Sequence, residues 1–245
     1  MNSDPMNVIS PHKDDAAASL SISLAALSAR GIPIRIINCF TVTQFAPFHS
    51  AGDSTDISAL RMEEDCIFAK ELGIADALVD LGRSDAPLRS QAGIRGIICQ
   101  DQLDAEDQAE IISLAKDIRR LTYAGPLLLP LALGNHIDHH IALRAGLLAR
   151  ETTRIALYED LPYAASRKSS EIESVVARIG KELGLEFSPK VIHFDNALQF
   201  KEKCLRIYKS QLTSSTICRL LDYAKLFDCG ERIWLTPDLR RTVGD

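Results

Sequence analysis

The sequence predicts an α/β fold of Rossmann-like form: a mostly parallel sheet with helices on both faces, ligands binding at the C-terminal edge of the strands. Three observations predict it. Short β-branched or apolar runs alternate with stretches at helical spacing. Gly31, Gly73 and Gly184 close three of the helical stretches. The run Leu127–Leu133 is apolar apart from Pro130, as in a strand buried on both faces. Alternating strands and helices make right-handed βαβ units.

Taken in order, Asn7–Ser10 reads as the first strand. Asp15–Arg30 is a helix, with Ala17, Leu20, Leu24 and Leu27 on one face. Ile34–Val42 is a β-branched buried strand, and Asp56–Leu72 is a helix carrying Ile57, Leu60, Ile67 and Leu72. A strand follows at Ala77–Leu81 and a helix at Ala105–Leu121, with Ile111, Ala115 and Ile118 aligned. After Leu127–Leu133 come a short helix at His140–Arg150 and a strand at Ile155–Tyr158. Ile172, Val176, Ile179 and Leu183 mark another helix, Val191–Phe194 a strand, and the remainder is expected to be mostly helical. The expectation is one domain over residues 1–245, its C-terminal helical part spanning about 197–230.

Composition narrows the function. The formal net charge of −5 and the absence of a Lys/Arg block exclude a general nucleic-acid-binding surface. No apolar run is long enough to span a bilayer. The polar residues Met1 to Met6 carry no apolar leader, so the cytoplasm is the expected location. Six cysteines without a C-x-x-C pair read as reduced thiols, neither a disulfide framework nor a thiolate zinc site. Oligomeric state is left open, a homo-oligomer included.

Two stretches carry chemistry. "SPHKDDA" (Ser10–Ala16) follows the first strand, and "GNHIDHH" (Gly134–His140) follows the buried apolar run. In a parallel sheet both loops open on the same edge, where ligands bind. Between them they offer two imidazoles and a carboxylate, a common catalytic zinc set with a fourth position for water. A second, unligated aspartate beside it is suited to take a proton. No G-x-G-x-x-G follows the first strand, which removes the main support for a dinucleotide site. Read alone, Asp14 and Asp15 are equally a helix cap and first-turn pair, worth roughly 0.3–1 kcal/mol each at the helix dipole.

"SPHKDDA" followed far downstream by "NHIDHH" resembles the PIG-L/LmbE-like de-N-acetylases, zinc hydrolases of N-acetylglucosamine-type amino sugars, and in particular their S-P-H-x-D-D branch. "LRMEEDCIFAKELGI", "APLR" (Ala86–Arg89), "YEDLPYA" (Tyr158–Ala164) and "YKSQ" (Tyr208–Gln211) extend the resemblance over most of the chain. The resemblance implies that His12, Asp15 and His139 hold Zn²⁺, or another divalent transition metal that this donor set accepts. It makes Asp14 the general base. It makes His136 the group that stabilises the oxyanion, as an imidazolium, and that protonates the leaving amine. It makes Asp138 the group that orients His136 or another histidine. Arg61, Tyr158 and Glu159 become candidate contacts for a small amino-sugar substrate. Lys13 stands where the common pattern has proline, and Ala16 where it has glutamate.

Plainer readings stand beside these. Arg61 equally forms a helix-surface ion pair with Glu64 or Asp65, and "YEDLPYA" is equally a proline-containing turn. His140, His193 and His49 read as ordinary solvated, edge and loop residues, and Trp234 as core or as a sugar platform. Two functional alternatives remain: an amidase of a larger acyl or thiol conjugate, and a noncatalytic sugar- or metal-binding relative.

Overall fold

A computed structural model of the chain describes residues 4–50, 52–89, 103–123, 125–151 and 154–243. Its strands are β1 (Met6–Ser10), β2 (Ile34–Val42), β3 (Leu78–Ser84), β4 (Leu127–Pro130), β5 (Ile155–Tyr158), β6 (Ser188–Ile192) and β7 (Glu231–Leu235). They form one seven-stranded sheet in the order β3-β2-β1-β4-β5-β7-β6. β1 to β5 pair in parallel, and β7 lies antiparallel between β5 and β6. The helices are α1 (Asp15–Ala29), α2 (Ser54–Glu71), α3 (Ala86–Arg89), α4 (Ala105–Thr122), α5 (Ile137–Ala149), α6 (Ser169–Leu183), α7 (Ala197–Leu205), α8 (Ser214–Lys225) and α9 (Pro237–Val243). Among the described residues no helix is long and apolar enough to cross a membrane.

The expected α/β class is what forms. From β1 the chain runs outward through β2 and β3, then returns to place β4 on the other side of β1. The order of strands therefore reverses between β1 and β4, the place where such sheets leave a crevice beyond the strand ends. Both central strands are buried throughout, and Leu127, Leu128 and Leu129 are at most 1% exposed. Each such leucine contributes about 1.5–3 kcal/mol by leaving water. The rigid centre of the sheet thus carries the two loops that the sequence singles out.

Several boundaries differ from the sequence reading. β4 stops at Pro130, which has no N–H to extend the ladder, and Ala132 turns to φ 58°. α5 begins at Ile137, three residues before the expected start, because His136 caps it: its Nδ1 accepts the N–H of Asp138 at 3.2 Å. In the C-terminal part, expected to be helical, Glu231–Leu235 is a strand whose ladder closes the gap between β5 and β6. The strand expected at Val191–Phe194 is β6, which ends at Ile192 and leaves His193 exposed beyond it.

α2 is fastened by its acidic residues. Glu64 accepts from the N–H and Oγ of Ser210, and Asp65 accepts from the Tyr208 hydroxyl at 2.7 Å and from Asn38 Nδ2 at 2.6 Å. Burial pushes the Asp65 carboxyl up to about 6, against the pull of Tyr208, Lys13 and Asn38. A carboxyl raised in the fold favours the native state while protonated and loses that advantage as pH rises. Between about pH 4 and 7, wild type is expected to lose roughly 3 kcal/mol that Asp65→Asn does not lose. Denaturant melts of both proteins across that range measure the difference; parallel curves would contradict it.

Candidate metal centre and active-site cavity

The turn after β1 is built from its own side chains. Ser10 Oγ donates to the His12 carbonyl at 2.6 Å, and the His12 N–H donates to Asp15 Oδ2 at 2.8 Å. Asp14 sits at the N-cap of α1, yet its side chain makes no capping hydrogen bond. The helix-cap reading therefore does not account for Asp14. Instead Asp14 Oδ1 accepts from Arg61 Nη2 at 2.5 Å. Arg61 is buried and pairs with neither Glu64 nor Asp65, so its partner lies across the site rather than along its own helix.

Two histidines converge on one carboxylate oxygen. His12 Nδ1 lies 3.2 Å from Asp15 Oδ2, and His139 Nε2 lies 3.3 Å from the same atom. Two donors each about 2.1 Å from a tetrahedral ion stand roughly 3.4 Å apart. The observed spacings fit that requirement, and ligand atoms of His12, Asp15 and His139 all fall within 4.8 Å of one another. The outward nitrogen of each ring meets a buried carboxylate: His12 Nε2 is 3.0 Å from Asp138 Oδ2, and His139 Nδ1 is 2.7 Å from Asp160 Oδ1. This pairing fixes the ring orientation and keeps the inward nitrogens available.

A second trio, His12, His136 and Asp138, also lies within range of one ion. Its carboxylate is already engaged. Besides His12, Asp138 accepts from Ala86 N–H at 2.9 Å and from Arg89 Nη2 at 2.6 Å. The first trio is the better metal set on donor chemistry. Asp138, which the resemblance allows to orient either histidine, reaches His12 and not the His136 ring.

The charges follow this geometry. Burial opposes a charge on His12, but Asp138 and Asp15 outweigh it and lift the imidazole to about 10. Burial likewise opposes ionisation of Asp15, and His139 and then His12 hold it below the usual carboxylate range. His136 behaves in the opposite way. Burial, then His12 and His139, push it down to about 3. With Nδ1 accepting from the backbone, the neutral ring carries its proton on Nε2. Burial and these neighbours thus favour a neutral N–H donor at His136 over the expected imidazolium.

These groups open into a cavity of about 350 Å³ lined by His12, Asp14, Asp15, Arg61, His136 and His139, with Phe45, Pro162 and Tyr163 supplying apolar wall. That size suits a small organic ligand. Tyr163 packs edge-on against His139 with ring centroids 5.6 Å apart. It can do so because Gly134 lacks a Cβ, which would lie 2.3 Å from the ring.

Two expected substrate contacts are absent from this cavity. Tyr158 is fully buried, and its hydroxyl donates to the Ile9 carbonyl at 3.0 Å. Glu159 faces the other way, accepting from Trp234 Nε1 at 2.9 Å, Arg232 Nε at 2.5 Å and the Tyr223 hydroxyl. Trp234 is therefore core. The acid of that segment that reaches the site is Asp160, which the sequence reading passed over. Its only signal was its place past the end of β5, one residue beyond Glu159. The buried Lys13 turns away to pair with Asp80, which is exposed, and Ala16 is packed in the core. His49 is exposed in its loop, and His140 is half-buried.

Comparison with known proteins gives a consistent picture. The PIG-L family profile, described as GlcNAc-PI de-N-acetylase, matches residues 7–150. A 2'-N-acetylparomamine deacetylase of Streptomyces fradiae is 28% identical over 230 residues, covering 89% of this chain and 77% of the relative. The fold resembles the zinc-inhibited form of teicoplanin deacetylase Orf2, with a TM-score of 0.74 at 23% identity over 95% of this chain and 97% of that one. It also resembles the N,N'-diacetylchitobiose deacetylase of Pyrococcus horikoshii, with a TM-score of 0.64 at 16% identity over 98% and 86%.

Proposed function

Because this chain belongs to the PIG-L family of de-N-acetylases, and is thereby an N-deacetylase, we propose that it removes the acetyl group from an N-acetylglucosamine-type amino sugar carried in a conjugate, with zinc as its metal. The observation that carries the proposal is the convergence of His12 Nδ1 and His139 Nε2 on Asp15 Oδ2, each ring backed by its own carboxylate. The named relatives that act on paromamine and chitobiose derivatives support the substrate class.

His12, Asp15 and His139 would hold the ion. When bound, it polarises the acetamide carbonyl and makes water acidic enough to attack near neutral pH. The remaining work falls to this chain's own groups. Asp14 is anchored through one oxygen to Arg61, and among the described residues its second oxygen takes no protein hydrogen bond. That oxygen is the base that accepts the proton from the attacking water. The neutral Nε2–H of His136 donates to the oxygen that becomes negative as the carbonyl carbon turns tetrahedral. Protonated Asp14 then delivers its proton to the departing nitrogen, giving acetate and a free amine. Phe45 and Tyr163 offer apolar surface to the faces of the sugar and its aglycone. Arg61 acts on substrate through Asp14, since its charge is already paired.

The test is acetate release with mass spectrometry over N-acetylglucosamine conjugates and acetylated aminoglycoside precursors. Chelated protein is expected to lose turnover and to regain it with zinc. Full turnover after complete metal removal, or none on any conjugate with zinc present, would defeat the reading.

A further inference from the structure

The short helix α3 lies outside both histidine loops, yet it grips the site. Asp138 has no exposed surface and meets three donors: His12 Nε2, the Ala86 N–H and Arg89 Nη2. Both of its oxygens are occupied, Oδ1 by Arg89 and Oδ2 by the other two, so the carboxylate plane is fixed. Arg89 is itself held at two further points. Its Nη1 donates to the Ser84 carbonyl at 2.7 Å, and its guanidinium carbon lies 4.5 Å from the centroid of the Phe40 ring. Phe40 in turn packs beside His12, with ring centroids 6.4 Å apart. A planar fork with one arm on a backbone carbonyl and the other on a carboxylate leaves Asp138 little freedom to turn.

We propose that Arg89 is a positioning residue for the metal. Through Asp138 it holds the His12 ring with Nδ1 facing Asp15 and His139. Arg61 performs the matching task on Asp14, so each of these two guanidinia anchors one working carboxylate. Without Arg89, the buried Asp138 keeps only the Ala86 N–H and His12 as partners among the described residues, and Oδ1 is unbound. The carboxylate then swings, and the ring that leans on it swings too. Loss of a group that orients a metal ligand typically weakens metal binding about 10- to 100-fold.

The inference rests on the metal reading above, and the experiment separates the two. Zinc dissociation constants are measured by competition with a chromogenic chelator for wild type, Arg89→Gln, Arg89→Met, Asp138→Asn and the Arg89→Gln/Asp138→Asn pair. The thermal midpoint of each metal-free protein serves as a folding control. Wild type is expected to bind zinc stoichiometrically. Whichever single Arg89 variants fold are expected to bind at least tenfold more weakly, and the pair no more weakly than Asp138→Asn alone. Affinity within twofold of wild type in a folded Arg89 variant overturns the inference. So does an undiminished Arg89 effect in the Asp138→Asn background, or a collapse of both Arg89 variants without metal, since that marks a purely structural role. Absence of zinc binding by wild type would instead defeat the metal reading.

Discussion

Asp14→Asn is expected to lower kcat for acetate release by about 10²- to 10⁴-fold, the range spanned by a lost general base, while zinc binding stays within a few-fold of wild type. The asymmetry follows from geometry. Asp14 lines the cavity beside His12 and Asp15 but stands outside the trio that fits an ion. Its carboxylate is not consumed by the α1 N-terminus, and among the described residues its one side-chain partner is Arg61. Asparagine keeps the shape and an acceptor for Arg61 but cannot take a proton from water. The substitution also leaves the buried Arg61 guanidinium without an anion, so a lower melting temperature is expected as well. Turnover and zinc titration on the same folded sample measure both effects. Turnover near wild type would remove Asp14 from the mechanism.

Asp160→Asn is expected to weaken zinc binding about 10- to 100-fold. Asp160 is 1% exposed, accepts from Leu133 N–H at 3.3 Å, and stands 2.7 Å from His139 Nδ1. A carboxylate there makes the opposite nitrogen a stronger donor, and a neutral amide does so far less. Because Asp160 belongs to neither histidine loop, its effect should show first as metal loss at low zinc and be largely recovered in excess zinc. A variant that binds zinc as tightly as wild type, or whose activity does not respond to excess metal, would show that the Asp160–His139 contact is only packing.

How far the site was legible follows from what each residue depends on. Asn7–Ser10 and Leu127–Pro130 announce themselves as largely apolar runs that stop at chemistry-bearing loops. The parallel-sheet rule then brings those loops to one edge without any knowledge of contacts. That much needs only local pattern. Tyr158, Glu159 and Asp160 are harder. Successive side chains at a strand end point in different directions, and which one turns to the site depends on what lies on each face. Tyr158 goes under β1, Glu159 meets Trp234 on β7, and Asp160 alone reaches His139. β7 was itself unreadable. Glu231–Leu235 is a five-residue stretch whose strand character comes from two neighbours it pairs with, both distant in sequence. The neutral form favoured at His136 was unreadable for a related reason. Its Nδ1 is spent on the first turn of its own helix, a detail visible only once that helix starts at Ile137.

The placement of Asp160 bears on where this molecule can be cut. The family match ends at residue 150, by which point His12, Asp14, Asp15, His136 and His139 have all been supplied. A fragment trimmed there would own every proposed ligand and still lack the anion behind His139, together with the strands that seal β4 from solvent on that flank. The working unit is therefore longer than the stretch that advertises it, and grafts or truncations should be planned around the later acid rather than the last histidine.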